Sequence, residues 1–434
     1  MTPAARLSAA IEALADIEAK RRPAADALKE WGLAHRFAGS GDRAAIAGLV
    51  YDALRRKASA AYVMGEDTPR AVLLGMLKLE RGLDVAAIDK LADGARFAPA
   101  ALSEAERSAL RERTLDGAPP HVAGDYPEWL DGPLARVFGD ERAAEAATLA
   151  RRAPLDLRVN TIKANRDKTA ESLKHLDVAP TRWSPFGLRI AVGADSKNIA
   201  IHSEPAFLTG LIEVQDEGSQ LAALLSGAKA GEQVIDLCAG AGGKTLALAA
   251  LLKKKGQIYA TDLDKRRLAP IHKRLERAGV RNVQVHTPHG KEDLLAEHHG
   301  AFDLALIDAP CTGTGTWRRN PDAKWRVRPG ALEVRLKEQV EVLDRAAPLV
   351  KPGGRIAYIT CSVLAEENAD QVAAFTARHP EFAAVPTAEL LAPLGERALV
   401  FRQAVLISEA GLQMTPRRTD TDGFFVSVLR RAAG

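Results

Sequence analysis

Residues 234–245 constrain the fold of this chain more than any other stretch. They read V-I-D-L-C-A-G-A-G-G-K-T, which is an apolar run typical of a buried strand, a loop with three glycines, and the start of an apolar helix predicted over 245–252. Such glycines let the backbone approach a ligand that a Cβ atom would exclude. A second predicted strand, 257–261, ends at Asp262, whose carboxylate can accept two ribose hydroxyls. The pattern indicates a nucleotide-type α/β fold; a tight turn of any α/β protein is the alternative.

The size and composition favour an ordinary multidomain protein. A length of 434 residues fits two or three domains, and 47% hydrophobic with 27% charged residues is typical of globular chains. The formal net charge of +4 is too small to identify a partner, and three cysteines cannot build a disulfide framework, which indicates a reducing compartment. Acids interrupt the apolar pattern of Met1–Lys20, and no apolar run reaches the length of a membrane helix. We therefore expect a cytoplasmic protein without a signal peptide.

Three domains are predicted along the chain. Residues 1–120 show helical periodicity, with Asp42 as a helix cap and an Arg55–Lys57 cluster that is either a solvated helix end or an RNA contact. Residues 121–203 alternate short helices and strands, which predicts a small α+β domain whose clustered cations suit phosphate contacts or a solvated face. These cations are Arg151, Arg152, Arg158, Lys163, Arg166 and Lys168. Residues 204–434 alternate strand and helix regularly, which predicts a mostly parallel sheet covered on both faces.

Two of the three cysteines follow strands of this predicted sheet. The strands fall near 233–238, 257–262, 283–287, 302–308 and 355–361, with a long helix over 332–349 and a closing antiparallel pair at 404–407 and 424–429. Cys311 comes after Asp308-Ala309-Pro310 and Cys361 after Thr360, at the strand ends where such sheets bind ligands. A thiolate is a good nucleophile, whereas an isolated cysteine is more often a small buried side chain. Two cysteines at comparable strand ends favour a functional role over simple burial. The absence of a C-x-x-C pair argues against a metal site.

These motifs resemble the Sun/Fmu family of RNA cytosine-5 methyltransferases, in its bacterial ribosomal RNA (RsmB-like) type. The resemblance covers residues 126–432. It rests on V-Q-D-E-G-S-Q (214–220), D-L-C-A-G-A-G-G-K-T (236–245), D-A-P-C-T-G-T-G (308–315), R-R-N-P-D-A-K-W-R (318–326), T-C-S (360–362), E-E-N (366–368) and D-G-F-F-V-S-V-L-R-R (422–431). The run L-V-Y-D-A-L-R-R (49–56) is similar, more weakly, to the antitermination-factor-like RNA-binding domain of such enzymes. The resemblance implies a Rossmann-like methyltransferase domain that uses S-adenosylmethionine, with RNA as partner, no membrane association and a monomeric state.

The resemblance also implies a chemistry for the cysteines. Cys361, the cysteine of T-C-S, would add to carbon six of cytosine, which makes carbon five able to attack the methyl sulfonium. Cys311 would assist release of the product, and Asp308 would hydrogen-bond ring nitrogen three and the exocyclic amine. The reversed assignment is the alternative, because cytosine-5 DNA methyltransferases attack from their Pro-Cys.

For the cofactor, the resemblance implies contacts from the glycine loop and from three residues beyond it. The expected residues are Cys238, Ala239, Gly240, Ala241, Gly242, Gly243, Lys244, Asp262, Arg267 and Asp308. Lys244 as a surface lysine at the helix start is the alternative. The chain departs from the family in two places. Gly240-Ala241 replaces the usual alanine-proline, and after the third strand no acid precedes Glu292, where the family places one near the adenine.

A basic run follows Cys311 and would hold the RNA backbone and an everted base. Its members are Arg318, Arg319, Asn320, Pro321 and Lys324, and Trp317 or Trp325 could stack on nucleotides or simply pack. The sequence therefore predicts a methyltransferase that forms 5-methylcytosine, in small-subunit ribosomal RNA, through a covalent cysteine adduct. A non-catalytic RNA-binding ribosome-assembly factor is the alternative that the two departures would favour. A small-molecule methyltransferase is a third, poorer alternative.

Overall fold

The computed structural model describes residues 1–191, 199–288 and 295–434. Contacts group the chain into two compact units. The first comprises residues 1–151 and 317–328, and the second comprises residues 152–316 and 329–434. The short segment 317–328 therefore belongs to the unit built mainly from N-terminal residues. Within the described ranges, no helix has both the length and the apolar character needed to cross a membrane.

The first unit is built from helices. They are α1 (Pro3–Lys20), α2 (Ala24–Ala34), α3 (Ser40–Arg55), α4 (Lys57–Met64), α5 (Pro69–Leu79), α6 (Val85–Leu91), α7 (Glu104–Glu112), α8 (Pro120–Ala123), α9 (Asp131–Phe138) and α10 (Arg142–Leu149). Side chains at helical spacing, among them Leu14 on α1, Ile46 on α3 and Leu73 on α5, share one apolar core. The helical N-terminal region predicted from this periodicity is confirmed.

The predicted cap of α3 is wrong. The helix begins at Ser40 with Gly39 as its N-cap, so Asp42 lies inside the first turn. Its carboxylate accepts hydrogen bonds from the amino terminus of Met1 (3.2 Å) and from Arg6 (2.8 Å) on α1. The acid still lies at the positive end of the helix dipole, but a tertiary contact occupies the side chain that the sequence assigns to a cap.

The second unit begins with a small antiparallel sheet in the order β2-β3-β1-β4. Its strands are β1 (Leu155–Val159), β2 (Ala179–Pro180), β3 (Gly187–Ile190) and β4 (Ile212–Val214), and its helices are α11 (Arg166–Ser172) and α12 (Pro205–Leu208). The apolar run G-L-R-I-A-V at 187–192 predicts a strand, which in the structure is β3 and ends at Ile190, while Val192 lies outside the described residues. By contacts, residues 121–151 group with the helical unit and not with this sheet.

In the described part of the second unit, the remaining strands form a nine-stranded sheet in the order β11-β12-β13-β9-β8-β5-β6-β7, with β10 also paired to β13. The strands are β5 (Gln233–Asp236), β6 (Gln257–Thr261), β7 (Val283–His286), β8 (Phe302–Asp308), β9 (Val350–Thr360), β10 (Phe382–Ala384), β11 (Leu406–Ser408), β12 (Gly411–Met414) and β13 (Phe424–Arg431). The helices that follow α12 in the chain are α13 (Glu217–Leu225), α14 (Gly243–Leu251), α15 (Lys265–Leu268), α16 (Ile271–Ala278), α17 (Ala323–Arg326, in the first unit), α18 (Pro329–Ala346), α19 (Ala369–Arg378), α20 (Thr387–Leu391), α21 (Ala398–Ala404) and α22 (Pro416–Thr419).

The central strands are parallel and buried on both faces. β5 pairs with β6 and β8, and β8 pairs with β9, all in parallel. Alternate residues of β8 enter different apolar clusters, with Leu304 and Leu306 in one and Ala305 and Ile307 in the other. Burial on both faces explains why the strand is a continuous apolar run. The pairing places the carboxyl ends of β5, β6, β8 and β9 along one edge of the sheet.

The predicted closing pair is only partly right. The two predicted strands appear as β11 and β13, but they are not partners, because β12 pairs antiparallel with both of them. β13 also pairs antiparallel with β9. The sequence of β12, G-L-Q-M, is too short and too polar to show alternation. Its Gln413 is buried and accepts a hydrogen bond from Asn368 (2.9 Å).

Candidate active site

The loop between β5 and α14 has an open side that a ligand can approach. Gly240 (φ +49°) and Gly242 (φ +85°) both lie in the left-handed region that favours glycine. A Cβ atom at Gly242 would lie 2.5 Å from the side chain of Ile271, so this glycine permits packing against α16. A Cβ atom at Gly240 or Gly243 would meet nothing nearer than 3.8 Å. These two glycines therefore border free space at the strand end.

The other loop residues are held by backbone and charge contacts. The amide of Ala239 donates to the carbonyl of Thr261 (2.9 Å), and the carbonyl of Ala241 accepts from Arg274 (2.9 Å). Burial and the neighbouring carboxylates raise the pKa of the Cys238 thiol well above its usual range. Cys238 is therefore a neutral thiol, without the activation that a nucleophile requires.

Asp262 is fixed at the carboxyl end of β6. Its side chain is buried, and its two oxygens accept from the backbone amides of Gly240 (3.0 Å) and Asp264 (2.9 Å). The exposed Arg267 brings its guanidinium within 3.8 Å of the position that a Cβ atom on Gly240 would occupy. The acid and the glycine loop are thus one structural element, as the spacing in the sequence predicts.

Lys244 connects the glycine loop to the end of β8. It is 6% exposed, which excludes a surface lysine, and its Nζ lies 2.7 Å from the carboxylate of Asp308 and 5.0 Å from the ring centre of Phe424. Behind it, Thr245 donates to the buried Asp236 (2.7 Å). Burial raises the pKa of Asp236 to about 7, with the charge of Asp308 adding to the shift. The Asp308 side chain remains one-third exposed and faces the open edge.

The two predicted catalytic cysteines are in contact. The Sγ atoms of Cys311 and Cys361 lie 3.3 Å apart, and both residues are partly exposed. Their loops leave neighbouring parallel strands, and the amide of Gly315 donates to the carbonyl of Cys361 (2.9 Å). The hydrogen bond with Cys361 and burial raise the pKa of the Cys311 thiol well above its usual range. The arrangement is a thiol pair in which Cys311 retains its proton.

A buried polar network, to which the sequence assigns no role, ties the two cysteine loops together. The hydroxyl of Thr314 contacts that of Ser362 (3.0 Å) and accepts from the amide of Val363 (2.9 Å). The amide and hydroxyl of Thr312 both donate to the carboxylate of Glu367, which is fully buried. Glu367 belongs to the E-E-N motif; its position shortly after T-C-S is the signal that could have revealed it.

Within the basic run 318–326, Lys324 and Arg318 are not exposed cations, whereas Arg319 is half-buried, Asn320 is exposed and their predicted RNA contact stays a prediction. Lys324 is fully buried in the first unit and donates to the carbonyls of Arg55 (2.9 Å) and Asp125 (2.7 Å). Arg318 is also buried, and its carbonyl accepts from the Arg55 guanidinium (2.7 Å). Trp317 is 1% exposed, and Trp325 donates to the carbonyl of Leu54 (2.7 Å). For Lys324, Arg318 and both tryptophans, packing is therefore the correct interpretation.

Two other predicted cation clusters are also largely engaged within their units. Arg55 is buried, and neither a solvated helix end nor an RNA contact describes it. Arg56 pairs with Glu80 (2.8 Å) and Lys57 with Glu18 (2.5 Å). In the second unit, the buried Arg158 donates to Gln215 (2.6 Å), and burial lowers its pKa to about 10. Lys163 is exposed but donates to the carbonyls of Thr209 (3.0 Å) and Arg277 (2.6 Å), and Lys168 is also exposed.

The adenine side of the predicted cofactor site is only partly visible. β7 ends at His286, and the described residues stop at Pro288 before resuming at Leu295. The segment after β7, in which no acid precedes Glu292, continues through His289 and Gly290. These three residues lie outside the described residues.

Comparison with known proteins decides the family. The family model described as "16S rRNA methyltransferase RsmB/F" matches residues 223–430. The family model of the ferredoxin-like domain of RsmF/B-like methyltransferases matches residues 126–196. The chain is 32% identical over 332 residues to the ribosomal RNA small subunit methyltransferase B of Sodalis glossinidius, covering 76% of this chain and 68% of that protein. The chain belongs to the RsmB/F family of 16S rRNA methyltransferases. The corresponding protein of Vibrio vulnificus is 31% identical over 332 residues, covering 76% of this chain and 71% of that one.

This RsmB/F methyltransferase also resembles a solved structure over 99% of its length. The crystal structure of PH0851 superposes with a TM-score of 0.72 at 26% sequence identity, covering 99% of each chain. The predicted family and the Rossmann-like methyltransferase fold are therefore confirmed. The glycine loop, Asp308, Cys311 and Cys361 all lie inside the matched range 223–430.

Proposed function

We propose that this RsmB/F methyltransferase forms 5-methylcytosine in small-subunit ribosomal RNA, through a covalent adduct between Cys361 and carbon six of the base. The contact of the two sulfurs, which lie 3.3 Å apart in the loops that follow β8 and β9, carries the proposal. Carbon five of cytosine is a weak nucleophile, and a sulfur bound to carbon six makes it electron-rich. A binding protein has no chemical use for two thiols and a carboxylate at one strand edge.

The two sulfurs have different parts in this scheme. Cys361 attacks as a thiolate, forming the Sγ–C6 bond while carbon five becomes the nucleophile. The raised pKa of Cys311 keeps it a thiol, which can donate a hydrogen bond to the Cys361 thiolate. After methyl transfer, a water molecule accepts the proton from carbon five, and the electron pair of that C–H bond forms the C5=C6 double bond and expels Cys361 as a thiolate, restoring the aromatic ring and the free enzyme. Cys311 assists this release, and Asp308 binds ring nitrogen three and the exocyclic amine.

The residues at the carboxyl edge fit S-adenosylmethionine, which supplies a methyl group on a positively charged sulfur. Asp262 is fixed by two backbone amides and presents a buried carboxylate suited to the ribose hydroxyls. The free space beside Gly240 and Gly243 leaves room for the donor along the loop from Cys238 to Lys244. The Lys244 ammonium neutralises Asp308 until the base arrives. Arg267 lies at the rim of the same site.

The test separates the two cysteines. Wild-type protein and two variants are incubated with methyl-labelled S-adenosylmethionine and unmodified 16S ribosomal RNA. Cys311→Ala should accumulate an SDS-resistant protein–RNA adduct with little free product, whereas Cys361→Ala should give neither adduct nor product. An adduct in Cys361→Ala would reverse the assignment, and wild-type protein that places no label on cytosine would refute the proposed reaction.

A second experiment addresses the assembly-factor alternative. Calorimetry with S-adenosylmethionine should show binding to the wild-type protein, and Asp262→Asn should weaken it by about tenfold or more through loss of the charged acceptor. Lys168→Ala, which removes an exposed cation far from the glycine loop in sequence, is the control that should bind as wild type. Wild-type protein that releases no heat would favour the assembly factor.

A further inference from the structure

Glu367 makes an unusually complete set of contacts for a residue outside the proposed chemistry. It is fully buried, one Oε accepts from the amide of Thr312 (2.8 Å), and the other accepts from the Thr312 hydroxyl. Its own carbonyl accepts from the hydroxyl of the buried Tyr358 (2.6 Å). A carboxylate that leaves water needs several donors to offset the lost hydration, and here two come from the residue directly after Cys311.

A second buried side chain holds the residue before Cys311. Gln339 on α18 is fully buried, and its Nε2 donates both to the carbonyl of Pro310 (2.9 Å) and to Glu367 (3.1 Å). The peptide units on both sides of Cys311 are therefore attached to one Glu367–Gln339 pair. The Cys311 backbone is fixed at two points, with its side chain left to reach Cys361.

Glu367 is also linked to Cys361, because the two residues lie close together in the sequence. Glu367 follows Cys361 in the short turn Ala365–Glu367, and Asn368 donates to the carbonyl of Ser362 (3.1 Å) while accepting from Thr360. The turn that carries Glu367 is thus attached to the Cys361 loop, and its carboxylate is attached to the Cys311 loop.

We propose that Glu367, supported by Gln339, is a positioning residue that holds the Cys311 sulfur against Cys361 for the release step. The consequence for catalysis rests on the proposed function. Without the carboxylate, the 310–312 peptide loses its anchor and Cys311 leaves its partner, so the Sγ–C6 bond forms but breaks slowly. A displacement of about 1 Å is enough to slow a step by about a hundredfold.

Three variants of the full-length protein test the role. Glu367→Ala removes both acceptors, while Glu367→Gln keeps an oxygen for the Thr312 amide and places an amide donor toward the Thr312 hydroxyl. Gln339→Leu removes the hydrogen bonds to Pro310 and to Glu367 but leaves both contacts between Glu367 and Thr312, and it retains most of the side-chain volume. The matched control is Glu217→Ala, because Glu217 is equally buried and also accepts from two backbone amides, those of Trp183 (2.6 Å) and Ser184 (2.7 Å), but does not contact a cysteine loop.

The first readout is the fraction of protein trapped as RNA adduct in a single turnover. Glu367→Ala should raise this fraction by about tenfold or more over Glu217→Ala, toward the level of Cys311→Ala. Gln339→Leu should give a smaller rise, and Glu367→Gln should restore release. General destabilisation lowers adduct and product together, so it does not change their ratio. A ratio in Glu367→Ala equal to that in Glu217→Ala would overturn the proposal.

The second readout does not depend on the reaction. The rate at which iodoacetamide alkylates each cysteine is measured by peptide mass spectrometry in the RNA-free protein. Glu367→Ala should speed alkylation of Cys311 several-fold and leave Cys238 unchanged, whereas Glu217→Ala should change neither. Unchanged Cys311 alkylation in Glu367→Ala would refute the positioning role even if no variant were active. Faster alkylation without adduct in any variant, Cys311→Ala included, would instead refute the proposed function.

Discussion

Two consecutive segments of the chain carry the residues most suggestive of function, and the structure treats them in opposite ways. In residues 308–316, Asp308 and Cys311 are partly exposed at an open strand edge. Cys361, which contacts Cys311 from the neighbouring loop, is partly exposed as well. Residues 317–328 bury Lys324 and Arg318 inside the helical unit. The comparison shows that a cluster of cations next to a catalytic motif can be a structural element. What distinguishes the two segments is burial, because Lys324 is fully buried whereas Asp308 and Cys311 each keep an exposed side.

Hydrogen bonds within the first unit hold Lys324 and Asp322 of the buried segment. The carbonyls of Arg55 and Asp125 accept from Lys324, and Asp322 accepts from the amide of Ala24 (3.2 Å). A cation buried in this way is costly to remove, because its acceptors are left without partners. The cysteine pair has a single mutual contact and an exposed side, which is the arrangement expected of groups that meet a substrate.

The largest effect should come from Cys361→Ala, which separates activity from stability. Methyl transfer should fall by about 10³-fold or more because the nucleophile is lost. The free energy of unfolding should change by about 1 kcal/mol or less, since the thiol is small and partly exposed. Labelled-methyl assays and urea unfolding of the same preparation measure both. A variant that keeps more than a few per cent of wild-type activity would contradict the proposed role.

Oxidation should expose the reactivity of the cysteine pair. A peroxide converts one thiol to a sulfenic acid, and the second thiol displaces water from it to form a disulfide. The sulfurs need to approach by only about an ångström to reach bonding distance. Disulfide formation lowers the mass of the protein by two hydrogen atoms. Activity should fall in proportion to the fraction of protein that shows this mass loss, and dithiothreitol should restore it. Cys311→Ser should not form this disulfide; a wild-type protein that forms none would show that the loops hold the sulfurs apart.

Lys324→Met should have the opposite profile from Cys361→Ala. The free energy of unfolding should fall by about 2–4 kcal/mol, because two buried carbonyls lose the amino group that donates to them. Arg326→Met is the matched control in the same segment. Its pair with Asp322 (3.0 Å), in which the arginine side chain is exposed, should contribute about 1 kcal/mol or less. If the two variants were equally stable and Lys324→Met bound RNA less well, the RNA role of this lysine would be restored.

The smallest effect is a pH dependence of stability. Burial lowers the pKa of Lys324 from near 10.5 to about 7. Between these values the unfolded chain holds a proton that the folded protein has released, so the free energy of unfolding gains a contribution that rises with pH. The free energies of unfolding of wild type and Lys324→Met should therefore diverge between about pH 7 and about pH 9, because that of the wild type rises with pH. Parallel curves would mean that Lys324 keeps its charge in the folded state.

The sequence was sufficient for the parts of the fold that depend on local pattern. Continuous apolar runs predict strands buried on both faces, and β5, β6, β8 and β9 lie where those runs fall. Parallel strands place their carboxyl ends at one edge, so the topology alone brings the glycine loop, Asp308 and the cysteines close together. The short strand β12 was missed, because four residues with a buried glutamine carry no periodic signal.

Distances and partners were decided only by the tertiary structure. Lys324 is bound to acceptors 269 and 199 positions away, and no local pattern distinguishes such a lysine from one that binds phosphate. The two sulfurs in contact at 3.3 Å belong to residues 50 positions apart. The hydrogen bond from Thr312 to Glu367 likewise joins residues 55 positions apart. Local propensity and periodicity determine which elements form and which face is apolar. The environment of each polar side chain depends on long-range packing, because burial and hydrogen bonding are set by groups that meet only when the chain has folded.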